Sequence, residues 1–484
     1  MDRGRWCFIL VAVSLMAGFA PPSQAATEVY LDGYFRLRAR IYDNLFLKRG
    51  VELSDASDPL QVGDDGTSTY FEQRLRIEPE LRVNQYLSVF SQFDFLPDLM
   101  WGTDPERIPG LSGYYDPIGQ SQSFGIPSDV PMVVARRLWA EVYTPFGRFK
   151  FGRTGMQVGS GIFFSDGNGL DADHPGDTAD RLQFLTRLGS VFFLVGYDMV
   201  YEGDVDRPYD AQAAAAAVAY RSELLSGSFY TYYQDDRSWI EEGDPEADDT
   251  YRNDMKTWTF DLWGKSVLGS VELELEAIYR YGGGDGSRMV FESEQDGVDP
   301  RVRENVVISA FGGMARVNWS SRTWRAGVET GLASGDEDPA FDDQDGKLKT
   351  FEFDRNYYVG LLLFRVPMPA RASLASDESP SDIYEGAIVG DRISNAFYVA
   401  PSLRFNILPN FTARVSGVGA WALTVTDAFN GSKNYGYEFD LELASQLFDR
   451  FTLSATTALF FPGEVFGSND EFAFGGQLLA VVEF

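Results

Sequence analysis

The 484-residue sequence contains one cysteine and one histidine, and both scarcities exclude classes of function. Cys7 lies in residues 1–26, where two arginines precede an apolar run and small residues end the segment. This layout predicts a cleaved secretory signal peptide; the alternative, an uncleaved anchor, suits the short apolar run less well. The mature chain then has no disulfide and no thiol ligand for a metal. His174 stands alone among aspartates, which is typical of a solvated loop.

Long apolar runs are also missing. After residue 26 no stretch of ~18 uncharged apolar residues occurs, so a membrane-spanning helix is not expected. Catalytic and nucleotide-binding motifs such as GxSxG, HExxH and the Walker loop do not occur in the required context either. A net charge of −31 and a pI of about 4.4 argue against nucleic-acid binding. We therefore expect no enzyme, no cofactor and no nucleic-acid partner.

What the sequence has instead is strict alternation of polarity. In "YFRLRARIYD", Arg36, Arg38 and Arg40 alternate with apolar residues. The stretches "YFEQRLRIEPELRV", "VELELEAIYRY" and "YGYEFDLELAS" alternate in the same way. Aromatic residues reach 15%, and the 48 glycines suit turns between strands. Such strands build a sheet with one apolar face and one polar face, and strands of a membrane barrel need only ~9–11 such residues.

The connections predict how the strands are arranged. Short turns at 83–85, 145–147 and 408–410 alternate with long acidic segments rich in Gly, Pro and Ser. Outer-membrane barrels combine short periplasmic turns with long external loops in this way. We expect an all-β, transmembrane, antiparallel up-and-down barrel of about 18 strands over residues 27–484. The predicted strands are 28–43, 69–83, 85–96, 132–143, 147–156, 180–188, 190–200, 211–222, 225–235, 256–266, 270–282, 305–319, 323–334, 394–407, 411–424, 434–446, 450–462 and 472–484.

One segment leaves the strand count open. Residues 351–364, "FEFDRNYYVGLLLF", are apolar enough for a further strand, but counting them gives an odd total. Bacterial single-chain barrels have even counts. We therefore expect residues 335–393 to form one long external or infolded loop. The alternative is that 351–364 spans the membrane with a partner strand in 367–393.

The polar parity predicts a pore lining. An arginine at the lipid midplane costs ~2–4 kcal/mol, so the arginines are expected to face the interior. A basic wall opposite an acidic wall would orient charged solutes. Mutual pairing of these charges is the alternative, and it would only keep the pore hydrated. The predicted pore-lining residues are Arg36, Arg38, Arg40, Arg74, Arg76, Arg137, Arg148, Lys150, Glu272, Glu274 and Glu276.

One acidic loop is a weak candidate for a metal site. "ASGDEDPAFDDQDGK" carries Asp336, Asp338, Asp343 and Asp345, whose oxygens could bind Ca²⁺ or bridge to lipopolysaccharide phosphates. The EF-hand pattern fails, because Phe341 stands where the first Asp belongs and no Glu closes the loop. A solvated acidic loop remains the alternative, and no metal is expected.

Two motifs carry a family resemblance. "GRFKFGRTGMQVGSGIFFSDG" (147–167) resembles a strand and loop of porins, and more closely the same segment of alginate-export barrels. "ISNAFYVAPSLRFNI" (393–407) resembles the strand after the longest loop of that family. Thr154 follows Arg153 where porins usually have Gln. The resemblance implies a monomeric 18-stranded barrel, whereas many porins are trimers. The final strand ends on Phe484, which resembles the assembly signal read by the barrel assembly machinery.

These observations predict an outer-membrane channel for hydrophilic solutes. Anionic saccharides, guided by the interior arginines, are the candidate cargo for diffusion or export. The expected surroundings are outer-membrane lipid and lipopolysaccharide. The alternative is a non-conducting surface or structural barrel, or an adhesin, whose own loops fill the lumen.

Overall fold

A computed structural model describes most of the chain after residue 26. The described residues are 27–45, 47, 67–101, 133–201, 211–237, 239–240, 251–252, 254–286, 303–337, 347–366, 368–369, 388–389, 392–425, 431–467 and 470–484. The predicted signal peptide, residues 1–26, lies outside them.

Eighteen strands form the barrel. They are β1 (Glu28–Asp43), β2 (Thr67–Asn84), β3 (Leu87–Trp101), β4 (Val133–Thr144), β5 (Gly147–Gly155), β6 (Thr178–Leu188), β7 (Val191–Tyr201), β8 (Ala211–Arg221), β9 (Leu225–Asp236), β10 (Asp254–Leu268), β11 (Val271–Gly286), β12 (Arg303–Ser320), β13 (Trp324–Ala333), β14 (Ala396–Leu408), β15 (Phe411–Ala422), β16 (Asn434–Leu447), β17 (Phe451–Pro462) and β18 (Ala473–Glu483).

The sheet is closed. Each strand pairs antiparallel with the next, and β18 pairs antiparallel with β1, with Arg38 opposite Leu479. Closure leaves no open sheet edge between the first and last strands, as a membrane barrel requires. The predicted antiparallel barrel of 18 strands is confirmed.

A few short elements lie outside the barrel ring. Trp239–Ile240 pairs with Tyr251–Arg252, and Met368–Pro369 pairs with Ile388–Val389. Lys347–Leu348 runs parallel to β12, and a 3-10 helix spans Glu464–Phe466. Among the described residues, no helix has the length and apolarity to cross a membrane.

The two ends of the barrel differ. At one end, two or three residues join successive strands, for example at 145–146, 189–190 and 269–270. We call this the turn end and the opposite end the loop end. In outer-membrane barrels the short turns are periplasmic and the loops external.

The outward surface is an apolar band between aromatic residues. Its middle carries exposed aliphatic and aromatic side chains such as Val195, Leu262 and Phe439. Aromatic side chains lie at both borders: Trp258, Tyr281 and Tyr437 near the loop end, and Tyr220, Trp319 and Phe405 near the turn end. A band of this composition matches the acyl-chain region of a membrane, and the aromatic rings match its two interfaces.

The largest hydrophobic cluster lies inside the barrel. It joins inward side chains of the wall, such as Tyr42 and Tyr398, to apolar side chains from residues 351–366. Two connections between strands fold into the lumen and fill part of it. We call residues 156–177, between β5 and β6, the first inward loop, and residues 347–366, between β13 and β14, the second inward loop. Residues 351–364 therefore form no barrel strand, and within the described part of 335–393 it is residues 351–366 that turn into the lumen.

Candidate functional site

The predicted arginine row of β1 lies beneath the first inward loop. Arg36, Arg38 and Arg40 point inward and are at most 1% exposed. Alternation along β1 sets this direction, because the other parity faces outward. Arg36 Nη1 donates to the Ala172 carbonyl oxygen at 2.8 Å. The loop thus covers these guanidinium groups.

Carboxylates compensate the buried charges. Arg38 pairs with Glu72 on β2 and, at 2.6 Å, with Asp173 of the first inward loop. Arg40 also pairs with Asp173. Burial by itself raises the pKa of the Asp173 carboxyl, but the nearby arginines outweigh burial and hold that pKa well below its ordinary value. The network is therefore ionised and locks the loop to the wall.

The other predicted basic residues lie along the same wall. Arg76 makes two hydrogen bonds to Asp94 on β3, at 2.7 and 2.9 Å. Arg74 and Arg137 are almost fully buried. Arg148 pairs with Glu141 at 2.9 Å, and Lys150 lies over the Trp139 ring at 4.9 Å. All of them face the interior, and most contact the wall or the first inward loop.

The predicted acidic residues lie on β11. Glu276 is buried and accepts a 2.6 Å hydrogen bond from the Ser160 backbone N–H, so it anchors the first inward loop from the other side. Glu274 accepts from Trp263 at 3.0 Å and pairs with Arg316 at 3.1 Å. Glu272 pairs with Arg325 at 2.9 Å.

The second inward loop is fixed to the wall by Glu438 on β16. Its buried carboxylate accepts backbone N–H groups of Leu361, Leu362 and Leu363, at 2.6, 2.8 and 2.6 Å. Three consecutive N–H groups converging on one anion form a nest. The alternation in "YGYEFDLELAS" predicts an inward Glu438, but only the fold shows what it binds.

Arg365 joins the two inward loops. Its Nε donates to Asp173 at 2.8 Å and its Nη2 to Asp171 at 3.0 Å. The guanidinium carbon lies 3.7 Å from the Tyr358 ring centre. The backbone N–H of His174 also donates to the Asn356 side chain at 3.0 Å. The two loops therefore act as one unit across the lumen.

A second contact between the loops is titratable. The side chains of Asp177, in the first inward loop, and Asp354, in the second, are hydrogen-bonded to each other. Burial, and then the charge of Asp177, raise the pKa of Asp354 to about 8. Burial also raises the pKa of Asp177. The pair therefore holds a proton at neutral pH.

A cavity of about 570 Å³ remains between the second inward loop and the turn end. Its wall comes from β12 to β18. Its basic side chains are Arg316, Arg325, Arg365, Arg404 and Arg414, and its acidic side chains are Asp171, Glu329, Asp440 and Glu442. Tyr358 and Leu361 of the second inward loop close the cavity on the other side.

A row of arginines crosses the cavity wall. Arg325 is the cross-strand neighbour of Arg404, and Arg404 is the neighbour of Arg414. Arg404 lies 3.9 Å from Glu442, and Arg414 has no ion-pair partner among the described residues. Directly opposed like charges destabilise a sheet. Sequence analysis missed this row, because each strand contributes only one of its members.

Only one of the four predicted metal ligands lies among the described residues. Asp336 is buried and accepts the Lys349 backbone N–H at 2.8 Å. Asp338, Asp343 and Asp345 lie outside the described residues. Within the part of the chain that the structure describes, no three His, Cys, Asp or Glu side chains form a metal-binding group.

Comparisons with known proteins support the fold. No protein-family model matches the chain, and no curated protein matches it. Solved structures do. OccK9 (OpdG) of Pseudomonas aeruginosa is 9% identical with a TM-score of 0.53, and the alignment covers 94% of this chain and 99% of that one. A BenF-like porin from Pseudomonas fluorescens Pf-5 is 10% identical with a TM-score of 0.52, over 94% and 98% of the two chains.

The chain has the fold of an outer-membrane porin. OpdK of Pseudomonas aeruginosa, solved with vanillate, is a further match, 10% identical with a TM-score of 0.50 over 94% and 98% of the two chains. The predicted porin barrel is thereby confirmed as a fold, and the apolar outward band agrees with an outer-membrane location. The closer resemblance to alginate-export barrels is not tested by these structures and stays a prediction.

Proposed function

We propose that the protein is an outer-membrane channel for small hydrophilic solutes that carry a carboxylate. The observation that carries this proposal is the row Arg404–Arg414, which faces the cavity of about 570 Å³. Its two guanidinium groups share the Glu442 carboxylate, which lies 3.9 Å from Arg404 and opposite Arg414 in the strand register. A guanidinium group binds a carboxylate through two parallel hydrogen bonds. Two adjacent guanidinium groups therefore attract anions more strongly than neutral solutes.

The row differs from the arginines predicted from sequence. Arg36, Arg38 and Arg40 are covered by the first inward loop and compensated by Glu72 and Asp173, so in this proposal they hold the loop in place. Arg404 keeps a side-chain exposure of 44%. In this proposal, solute selection depends on Arg404 of β14 and Arg414 of β15. The proposed solute is still anionic, as the sequence predicts.

Two further observations support a small cargo. The inward loops narrow the lumen, and the cavity has the volume of a site for a small molecule, in the range of ~300–1,000 Å³. OpdK, a porin of the same fold, was solved with vanillate, which is a small carboxylate. Uronic-acid sugars carry the same group and remain candidates.

Liposome swelling tests the proposal with three sugars of one ring size. We expect galacturonate to enter faster than galactose, and galactosamine to enter most slowly. The double variant Arg404→Gln, Arg414→Gln should remove this order, whereas Arg153→Gln, on the outward side of β5, should keep it. Equal rates in the wild type, or galactosamine first, would overturn the proposal.

A second function is favoured by the apolar interior. Phe351, Phe353 and Leu362 are at most 1% exposed and pack across the lumen. If this packing seals the barrel, the protein is a non-conducting surface or structural barrel. Planar-bilayer recording separates the two functions, since a sealed barrel passes no current.

A further inference from the structure

An ion pair lies on the outer surface of the barrel, on β5 and β6. Arg153 donates two hydrogen bonds to the Asp180 carboxylate, from Nε at 2.9 Å and from Nη2 at 2.7 Å. The two residues are cross-strand neighbours, and their side chains are 55% and 48% exposed. Thr154 and Arg181, the next residues along the two strands, are buried on the inward parity. Because successive side chains of a strand alternate between its two faces, the ion pair faces outward.

The pair lies at the depth of the apolar band. Arg153 is six residues from the turn end of β5, and Asp180 is eight residues from the turn end of β6. Leu262 and Phe439, in the middle of the band, are likewise six and eight residues from the turn ends of their strands. The aromatic residues of the loop-end border are ten residues from theirs. With a rise of ~3.3 Å per residue and a tilt of ~35–45°, the pair lies ~15–20 Å above the turn end.

The surroundings of the pair are apolar. Leu138, opposite Arg153 on β4, is exposed, and so are Phe151 and Leu182 on the turn-end side of the pair. In the described strands, the other outward-facing charged side chains lie at or beyond the two aromatic borders. A charge that faces lipid at this depth destabilises a barrel, and a long basic side chain usually extends to the interface instead. Here the two hydrogen bonds to Asp180 hold the guanidinium group within the band.

The outward surface of β5 and β6 is open along its length. The connection between the two strands is the first inward loop, which turns into the lumen, so it does not cover the pair from above. Toward the turn end, Phe151 pairs with Leu182, and Phe149 pairs with Phe184. These side chains share the outward parity of the ion pair. The surface is therefore an apolar strip with one ion pair at its loop-end side.

The strip is complementary to a copy of itself. Two barrels inserted in the same direction can be related by a two-fold axis along the membrane normal, and such an interface uses the same surface on both subunits. An axis between β5 and β6 places Arg153 opposite Asp180 of the partner subunit at the same depth, and the reverse contact forms at the same time. Neighbouring strands are only ~4.8 Å apart, so the four side chains can form one ring of alternating charges. The same axis places Phe151 against Leu182 of the partner subunit.

We propose that the outward surface of β5 and β6 is the interface of a homodimer in the membrane, with the two ion pairs joined in one ring. The pair has no net charge, so its complement must present both signs in the same arrangement and at the same depth. A lipid phosphate has only negative charge and lies at the membrane interface, whereas a second copy of the chain meets both conditions. Packing and polar contacts drive association within lipid. The proposal depends on the outer-membrane location and is independent of solute transport, because each barrel keeps its own lumen.

Charge exchange between two differently tagged copies tests the proposal. In Arg153→Asp both residues of the pair are acidic, and in Asp180→Arg both are basic, so neither variant should form a dimer with itself. When the two variants are expressed together in one outer membrane, they should co-purify as fully as two tagged copies of the wild type. The double variant Arg153→Leu, Asp180→Leu has a wholly apolar strip and should be folded and monomeric. Heat-modifiable gel mobility shows whether each variant is folded.

Cross-linking in the membrane gives a second measurement. The only cysteine of the sequence is Cys7, in the predicted signal peptide, so Phe151→Cys adds one thiol beside the proposed axis. A short bifunctional maleimide should convert this variant to a covalent dimer in native outer membranes. Phe439→Cys is the matched control, because Phe439 is an exposed phenylalanine of the band across the ring on β16, and it should stay monomeric.

Three results would overturn the proposal. The first is a wild type that does not co-purify with its tagged copy, as the monomer implied by the alginate-export resemblance would behave. The second is equal cross-linking of Phe151→Cys and Phe439→Cys. The third is a failure of the two folded charge variants to associate with each other, which would show that the ion pair acts only within one barrel.

Discussion

Single residues in the lumen have different roles according to their partners. Arg38 is 1% exposed and contacts carboxylates from a strand and from the first inward loop, whereas Arg404 is 44% exposed and lies 3.9 Å from its nearest carboxylate. A buried, compensated guanidinium group holds structure, and a partly exposed one with a single distant carboxylate can bind solute. The difference depends on burial, which alternation in the sequence does not reveal.

Arg38→Gln tests the structural role. It leaves Glu72 and Asp173 buried with less compensation, and breaking a buried pair costs ~3–5 kcal/mol. We expect a clear fall in the urea midpoint of unfolding in detergent. Arg82→Gln, which removes an exposed pair with Glu80, should leave the midpoint unchanged. A stable Arg38→Gln barrel with altered ion selectivity would instead restore the guiding role predicted from sequence.

The inward or outward direction of most barrel side chains could be predicted from the sequence, but their contacts inside the lumen could not. Alternation indicates which side chains of β1 and β11 face inward, because sheet geometry fixes parity. It cannot indicate what covers them, because Arg38 and Asp171 are 133 positions apart in the sequence. Arg404 and Arg414 were missed for the same reason, since only strand register makes them neighbours.

At the scale of elements, the inward loops decide what the lumen can do. The first is held by Glu276 and the arginines of β1, and the second by Glu438. Arg365 connects them. Sequence analysis left 335–393 as external or infolded, because the apolar run 351–364 fits either a strand or a packed loop. The hydrogen bonds from its backbone to Glu438 decide for the packed loop, and the sequence does not reveal them.

Glu438→Gln tests the anchor of the second inward loop. An amide replaces one acceptor oxygen by a donor, so one of the three N–H groups loses its partner. Hydrogen bonds to a charged group contribute ~1.5–3 kcal/mol each. We expect larger and noisier single-channel currents. Glu272→Gln, which removes a wall contact to Arg325, should leave the noise unchanged, and equal noise in both variants would contradict the anchoring role.

The carboxyl pair between the loops predicts a pH dependence. The pKa of Asp354 in the folded protein, about 8, lies above its ordinary value of 3.8. The protonated contact therefore stabilises the loops fully below pH ~4, and this stabilisation is lost as the pH rises through about 8. Arg392, which pairs with Glu352, partly opposes the shift.

We expect channel noise to increase between pH 7 and pH 9, because two ionised carboxylates repel each other across the loop contact. The Asp354→Asn variant should show the same low channel noise at pH 7 and at pH 9. A wild type and a variant that change in parallel would show that another group titrates.

At the scale of the whole molecule, the sequence was sufficient for the architecture. All eighteen predicted strands are present, with bounds that agree to within about five residues, because the lipid exterior imposes one repeated pattern on every strand. The side chains inside the barrel follow no such repeated pattern, because each of them contacts a different part of the two inward loops. The barrel was therefore predictable, and the contacts of the two inward loops inside it were not.

The reversal potential of the purified protein in a planar bilayer, under a tenfold KCl gradient, tests the central claim most directly. The account predicts a measurable current that reverses toward the chloride equilibrium potential. In the double variant Arg404→Gln, Arg414→Gln the reversal should move toward zero. A wild-type barrel that passes no current, or that reverses toward the potassium potential, would contradict an anion-selective channel.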